Sequence, residues 1–364
     1  MTTNRFHWAR FLALLLAILA LVAALWAGLL RMGWAWPSLV PRLVISHGPL
    51  MVAGFFGTLI GVERAAALGR RWAYPAPLLS GLGSLLLLLT GLPGLTGILL
   101  LTAGSAWLAA VTLFMFYRHR LFHAAVIGLG AISWLVGNLA WLFGAPIYSV
   151  VYWWAGFFIF TIAGERLELS RVIRLKRYHQ TLFTIASGLL LAGLAWTLWS
   201  YAAGARLSGV GMFALAAWLM AYDLARRNLR RGGLTGYIAV CLYTAFIWLG
   251  VSGLLSMRYG GLVAGPYYDA ILHSLFVGFV FGMVFGHAPI IFPAVLNLPV
   301  RYSRAYYLPL FLLNISLILR LLGDLNGMYL ARQWGGLLNA VAILLFLGMI
   351  ASGILRNRFT GQTI

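Results

Sequence analysis

Apolar stretches close to twenty residues long recur along the whole chain, and they constrain its fold more than any other feature. Hydrophobic residues occupy 63% of the 364 positions and charged residues only 9%, whereas a soluble domain carries about 25% charged residues. About twenty apolar residues are what a helix needs to cross the hydrocarbon core of a bilayer. Because the stretches are continuously apolar rather than alternating, a membrane β-barrel is excluded. The sequence therefore predicts an all-α membrane protein.

Twelve transmembrane spans are predicted. They cover residues 10–31, 43–65, 74–92, 95–117, 123–143, 147–166, 180–201, 207–225, 234–257, 268–293, 305–322 and 334–355. The loops between the spans are short, which predicts a single transmembrane domain over residues 1–364 without a soluble domain. The first span is too long, and the second follows it too closely, for a cleaved signal peptide.

Basic residues are distributed unevenly between the two sides of these spans. Of the 26 Lys and Arg residues, 20 lie in the tails and in the loops after even-numbered spans. This bias follows the positive-inside rule and predicts cytoplasmic termini in a multi-pass protein of the inner membrane. It also assigns the net charge of +20 to loops at the bilayer rather than to nucleic-acid binding. Lone Cys241 lies within a span, so no disulfide framework or thiolate metal cluster is expected.

Spans 2, 6 and 10 share a short pattern. Each contains Gly-Phe followed by Phe or Val, and a polar residue follows nine positions after the glycine. The three pairs are Gly54 with Glu63, Gly156 with Glu165, and Gly278 with His287. The spacing predicts a pseudo-threefold repeat of four-helix units over residues 1–120, 121–232 and 233–364. We interpret Glu63, Glu165 and His287 as a candidate polar cluster; the alternative is that they are helix-end residues meeting headgroups and arginines.

Three of the seven histidines lie within spans, where a polar side chain is costly and indicates a functional site. Two of them, His47 and His273, lie about five residues inside spans 2 and 10, both of which start on the outer face. At 1.5 Å per residue they reach a similar depth. Two histidines at one depth on different helices suit the two axial positions of a haem iron. The alternative is a pair of unrelated histidines that bond to the backbone or to water.

The segment that begins His47-Gly48-Pro49-Leu50-Met51 resembles the second helix of the haem-copper oxidase catalytic subunit. That family has twelve spans in a pseudo-threefold arrangement, and its low-spin haem lies between helices 2 and 10, near the outer face. NnrS-type membrane proteins are similar, with a histidine and Gly-Phe in the second span and a later helix ending in Gly-His, as in Gly286-His287. The resemblance implies one b-type haem held by His47 and His273.

Departures from the oxidase pattern bear on activity. Span 6 has no histidine, span 7 has only His179 at its cytoplasmic start, and position 271 is Ile271 instead of a proximal histidine. The resemblance therefore implies no copper and no oxygen or nitric-oxide reduction. It implies a six-coordinate haem for electron transfer or for redox or nitric-oxide sensing, with a quinol or a periplasmic redox protein as partner. The alternatives are a secondary transporter of a small solute or ion and a non-catalytic subunit or assembly factor.

Arginines of the outer loops are the expected partners of the haem propionates. A haem near the outer face should direct these anions outward, because charges are costly deeper in the bilayer. The loop between spans 11 and 12 resembles the oxidase loop that supplies the arginines that bind the haem propionates. In this chain Arg320 and Arg332 bracket that loop. Arg42 precedes His47 by five residues. We expect Arg320 to act first and Arg42 second, because a guanidinium binds a carboxylate through two hydrogen bonds; the alternative is that these arginines anchor helix ends at headgroups.

Overall fold

The computed structural model describes residues 4–38, 40, 43–90, 94–170, 176–296 and 302–359, and Arg42 lies outside them. Within these residues the chain forms twelve long helices, which we number α1 to α12. Their bounds are Asn4–Arg31, Leu43–Leu68, Pro75–Thr90, Leu95–His119, Phe122–Leu142, Ile147–Leu169, Arg177–Trp196, Tyr201–Tyr222, Gly233–Tyr259, Pro266–Leu296, Tyr307–Asn326 and Tyr329–Phe359. The predicted all-α class is confirmed.

Eleven of these helices are long and apolar enough to cross a membrane. The exception is α7, the seventh predicted span, because its first turn carries Arg177, His179 and Gln180. The predicted boundary 180–201 also runs across the turn between α7 and α8. That turn is itself apolar, with Trp199 80% exposed, so hydropathy alone gives no sign of the break. Eleven such helices indicate a multi-pass membrane protein.

Helix α11 shows the inverted polarity expected in a bilayer. Its exposed face carries Ile315, Ile318 and Leu322, whereas Arg320 and Asp324 are buried. A helix on the surface of a soluble protein has the opposite arrangement, with its apolar stripe toward the core. Exposed apolar side chains around buried charges require an apolar surrounding, which lipid supplies.

Helices α2 and α10 are interrupted by π-helical turns. In α2 the π-helix covers Leu50–Gly57, and in α10 it covers Ser274–Phe281. Aligning Gly54 with Gly278 also superposes these two segments residue for residue. In α2 the π-helix follows directly after Pro49, which has no N–H for the helical hydrogen-bond ladder. The third helix with the Gly-Phe pattern, α6, is α-helical over Ile147–Leu169.

The chain divides into two compact units, Met1–Gly164 and Glu165–Ile364. In the first unit, α1 packs against α2 and α3, and α2 to α5 form successive neighbouring pairs. In the second unit, α7 to α12 form successive neighbouring pairs. Close approach of α9 and α10 depends on Gly278, Gly282 and Gly286, because a Cβ at Gly282 would lie 3.1 Å from Ala245 Cβ and one at Gly286 would lie 3.1 Å from Cys241 Cβ.

Candidate functional site: a buried charge cluster around His273

Five polar residues of α10, α11 and α12 meet within the second unit, and we call them the polar cluster. They are Asp269, His273, Arg320, Asp324 and Arg332. Two of the six acidic residues of the whole chain belong to this group. Because charged residues within membrane spans are costly and pair with one another where they occur, the polar cluster is the strongest candidate site among the described residues.

Asp269 is the centre of the polar cluster. Arg320 Nε donates to Asp269 Oδ2 at 2.9 Å, and Arg320 Nη2 donates to Asp269 Oδ1 at 3.0 Å. This is the two-bond fork of a charge-assisted pair. The side chain of Arg320 is 8% exposed and that of Asp269 is 15% exposed, so the two charges compensate each other with little access to water.

His273 lies one helical turn after Asp269, and its ring is oriented by that residue. The ring atom Nδ1 lies 3.0 Å from the carbonyl oxygen of Asp269 and 3.2 Å from its Oδ1. Because a neutral imidazole carries one N–H and one lone pair, the nitrogen that faces two oxygen acceptors carries the proton. The lone pair is then on Nε2, which is the tautomer that a metal-ligating histidine adopts beside a carboxylate.

A second acid–base pair, Asp324 and Arg332, completes the polar cluster. Arg332 Nε lies 2.8 Å from Asp324 Oδ1, and Arg332 Nη2 lies 3.7 Å from Asp269 Oδ1. The side chain of Asp324 is fully buried, and its short approach to Arg332 lacks the geometry of a hydrogen bond. The two side chains are therefore in close contact without a hydrogen bond between them. Gly335 permits the close packing of α12 on α11, because a Cβ there would lie 2.6 Å from Arg320 N.

The ring of His47 contacts α1. Its Nδ1 lies 2.7 Å from the carbonyl oxygen of Ala24, so His47 also carries its proton on Nδ1. One turn further along α1, Gly28 makes room for the ring, because a Cβ at Gly28 would lie 2.8 Å from His47 Cε1. Two positions of α1 therefore fix the orientation of this imidazole.

The remaining candidates predicted from sequence have these surroundings. His287 Nδ1 lies 2.8 Å from the carbonyl oxygen of Met283, in the preceding turn. Glu63 contacts its neighbour Arg64 at 3.4 Å. The predicted cluster of Glu63, Glu165 and His287 stays a prediction, since Glu63 belongs to the first unit and the others to the second.

Two members of the polar cluster, Asp269 and Asp324, were not predicted from sequence. A usable signal existed: an acid is rare in this chain, and Asp269 precedes His273 by four residues, which places the two on one helix face. Arg320 and Arg332 were predicted as partners of propionates, and the structure additionally gives each of them an aspartate partner. Among the described residues, no group of three or more His, Cys, Asp or Glu side chains is arranged to hold a metal ion by itself.

Comparison with protein families gives a match over most of the chain. The family model described as Domain of unknown function (DUF8744) matches residues 10–354, which run from α1 to α12. A search of curated proteins finds no significant match.

Proposed function

We propose that this chain, which belongs to the family described as Domain of unknown function (DUF8744), is a membrane-embedded haem protein. It would hold one b-type haem between His47 and His273 and serve electron transfer, or redox or nitric-oxide sensing. The observation that carries the proposal is the pairing of His273 Nδ1 with Asp269. This contact favours the proton on Nδ1, which is the tautomer of a metal-ligating histidine beside a carboxylate.

The donor chemistry of the two histidines fits a bis-histidine haem. Both rings present Nδ1 to an oxygen, from Ala24 for His47 and from Asp269 for His273. Each ring is therefore expected to present the Nε2 lone pair to an iron atom. A bound haem would supply one-electron redox chemistry. The part of this chain is to hold the two rings and to compensate charge, since an Asp269 hydrogen bond makes the His273 imidazole a stronger donor.

The arginines have distinct roles in this proposal. Both donor nitrogens of the Arg320 fork are engaged by Asp269, so Arg320 acts on His273 through that carboxylate. Arg332 is more exposed, with 25% of its side-chain surface accessible, and is better placed to meet a haem propionate. Arg42 is proposed for the same role on its position before His47.

The finer features of the fold belong to the same proposal. The matching π-helical segments of α2 and α10 support a repeat relation between these two helices, and π-helical turns are frequent at functional sites. The charge bias supports cytoplasmic termini and an inner-membrane location. We propose a quinol or a periplasmic redox protein as the electron partner, and no copper centre.

A secondary transporter is the second candidate function, and the polar cluster itself favours it. A transporter also binds and releases an ion or proton with charged side chains beside an interrupted helix, and here two aspartates, two arginines and a histidine lie on α10, which a π-helix interrupts, and on its neighbours α11 and α12. In that case the Asp269–Arg320 pair would be opened by a substrate or ion rather than retained permanently.

The absorption spectrum of the purified protein separates the two functions. We expect a sharp Soret band and split α and β bands on reduction in the wild type. The bands should be lost in His47→Ala and in His273→Ala, but retained in His119→Ala and His179→Ala. A colourless wild type would favour transport, and full haem occupancy in the His47→Ala, His273→Ala double variant would refute the ligand assignment.

A further inference from the structure

Six exposed basic residues gather at one end of α7, α8 and α9, and we call them the basic patch. Two belong to the start of α7, and four belong to the connection between α8 and α9, which contains the short helix Ala225–Asn228. The members are Lys176, Arg177, Arg226, Arg227, Arg230 and Arg231, all of them exposed. None of them belongs to the polar cluster or to the proposed haem site.

Contacts between α7 and α8 join both parts of the basic patch into one surface. Trp218 Nε1 of α8 donates to the carbonyl oxygen of His179 at 2.8 Å, and the rings of His179 and Tyr222 lie 4.4 Å apart. Arg226 folds back on α8, where its Nη1 donates to the carbonyl oxygen of Ala221 at 3.2 Å. The first turn of α7 and the start of the arginine run therefore lie side by side.

Asp223 lies three residues before Arg226, and its carboxylate forms an ion pair with the buried Arg166. Arg166 Nε and Nη2 donate to the two carboxylate oxygens of Asp223, both at 2.8 Å. The Asp223 side chain is fully buried, and its Oδ1 also accepts the N–H of Ala225 at 2.7 Å. The carboxylate thus holds the connection in place while leaving the exposed arginines uncompensated by it.

The position of the basic patch selects its partner. It lies at the helix ends, beside Tyr178, which is 53% exposed, and tyrosine favours the headgroup level of a bilayer. Clusters of Lys and Arg next to the end of a membrane helix attract anionic lipids, and arginine binds phosphate through two hydrogen bonds. We infer that the basic patch is a binding site for the phosphate headgroup of an anionic phospholipid. This site is independent of haem binding.

Lipid titration of the purified full-length chain in detergent tests the inference. Phosphatidylglycerol should raise the thermal unfolding midpoint and remain bound in native mass spectrometry, whereas phosphatidylcholine should do neither. Replacing Arg226, Arg227, Arg230 and Arg231 by Gln should weaken phosphatidylglycerol binding at least about tenfold, because each basic group near the surface contributes to the attraction.

A second variant with the same loss of charge is the matched control. It replaces four exposed arginines elsewhere in the chain by Gln, namely Arg70, Arg118, Arg120 and Arg304, and should bind phosphatidylglycerol like the wild type. Equal weakening in both variants would show a nonspecific charge effect and overturn the site. Equal stabilisation by inorganic phosphate would overturn the lipid as its source. If the patch variant does not fold, a wild type without preference for phosphatidylglycerol over phosphatidylcholine still refutes the inference.

Discussion

Replacing Asp269 by Asn tests whether the polar cluster holds α10 to α11. Asn has nearly the shape of Asp but carries no charge and offers one acceptor oxygen instead of two. The variant therefore breaks the fork in which Arg320 donates at 2.9 and 3.0 Å. It leaves the guanidinium of Arg320, 8% exposed, without its counter-charge.

The expected cost follows from that burial. Removing one partner of a buried ion pair destabilises a protein by about 3–5 kcal/mol, because an uncompensated charge remains. The Arg320→Gln variant should cost less, since Arg332 Nη2 lies 3.7 Å from Asp269 Oδ1 and retains part of the compensation. The double variant removes both charges, so its cost should fall well below the sum of the single variants, with a coupling energy of about 1–3 kcal/mol.

Equilibrium unfolding in mixed detergent micelles, followed by circular dichroism, measures these free energies. Arg206→Gln is the control, because Arg206 is exposed on α8 and should change stability by less than about 0.5 kcal/mol. An Asp269→Asn variant that costs less than about 1 kcal/mol would refute the reasoning, because a buried guanidinium without its partner cannot be that inexpensive. Additive costs in the double variant would show that the two side chains do not act as a pair.

Three further predictions concern the proposed haem. Gly28→Ala should displace the His47 ring, since the added Cβ would lie 2.8 Å from Cε1, and it should lower the haem content measured by the absorption spectrum. Gly48→Ala should leave the haem content unchanged, because its Cβ would meet nothing within 4 Å. Equal haem content in both variants would contradict the role of Gly28. Arg320→Gln should shift the haem midpoint potential in redox titration while Arg206→Gln leaves it unchanged, and identical potentials would remove Arg320 from the haem environment. Membranes that contain this chain and are stripped of other oxidases should consume neither oxygen nor nitric oxide. One copper atom per chain in elemental analysis, together with gas consumption that is abolished by mutating this chain, would overturn this expectation.

The helices were predictable because the bilayer imposes a length and a composition on each of them. The prediction of an all-α fold followed from this constraint, and most boundaries agree within a few residues. The predicted boundary of the seventh span was wrong at the turn between α7 and α8, because Leu198 and Trp199 continue the apolar pattern beyond the end of the helix. The composition of a segment indicates whether lipid surrounds it, but it does not indicate where the helical hydrogen bonds end.

The candidate site was predictable in part. A histidine within an apolar span is conspicuous by its cost, so His47 and His273 were found from sequence alone. Their hydrogen-bond partners were not found from sequence. The partner of His47 is distant along the chain, whereas Asp269 lies four residues before His273 and is itself bound by a distant arginine. Ala24 lies 23 residues before His47, and Arg320 lies 51 residues after Asp269.

The sequence by itself determined that the helices suit a lipid bilayer, where along the chain they lie, and that few charged residues fall within them. The tertiary structure decided which charges pair, because pairing depends on helix packing and rotation that hydropathy does not encode. It gave the two arginines that are predicted to bind propionates an aspartate partner each, Asp269 for Arg320 and Asp324 for Arg332. The π-helical turns of α2 and α10 also became apparent only in the structure. Whether the backbone forms i→i+4 or i→i+5 hydrogen bonds depends on how the helix packs.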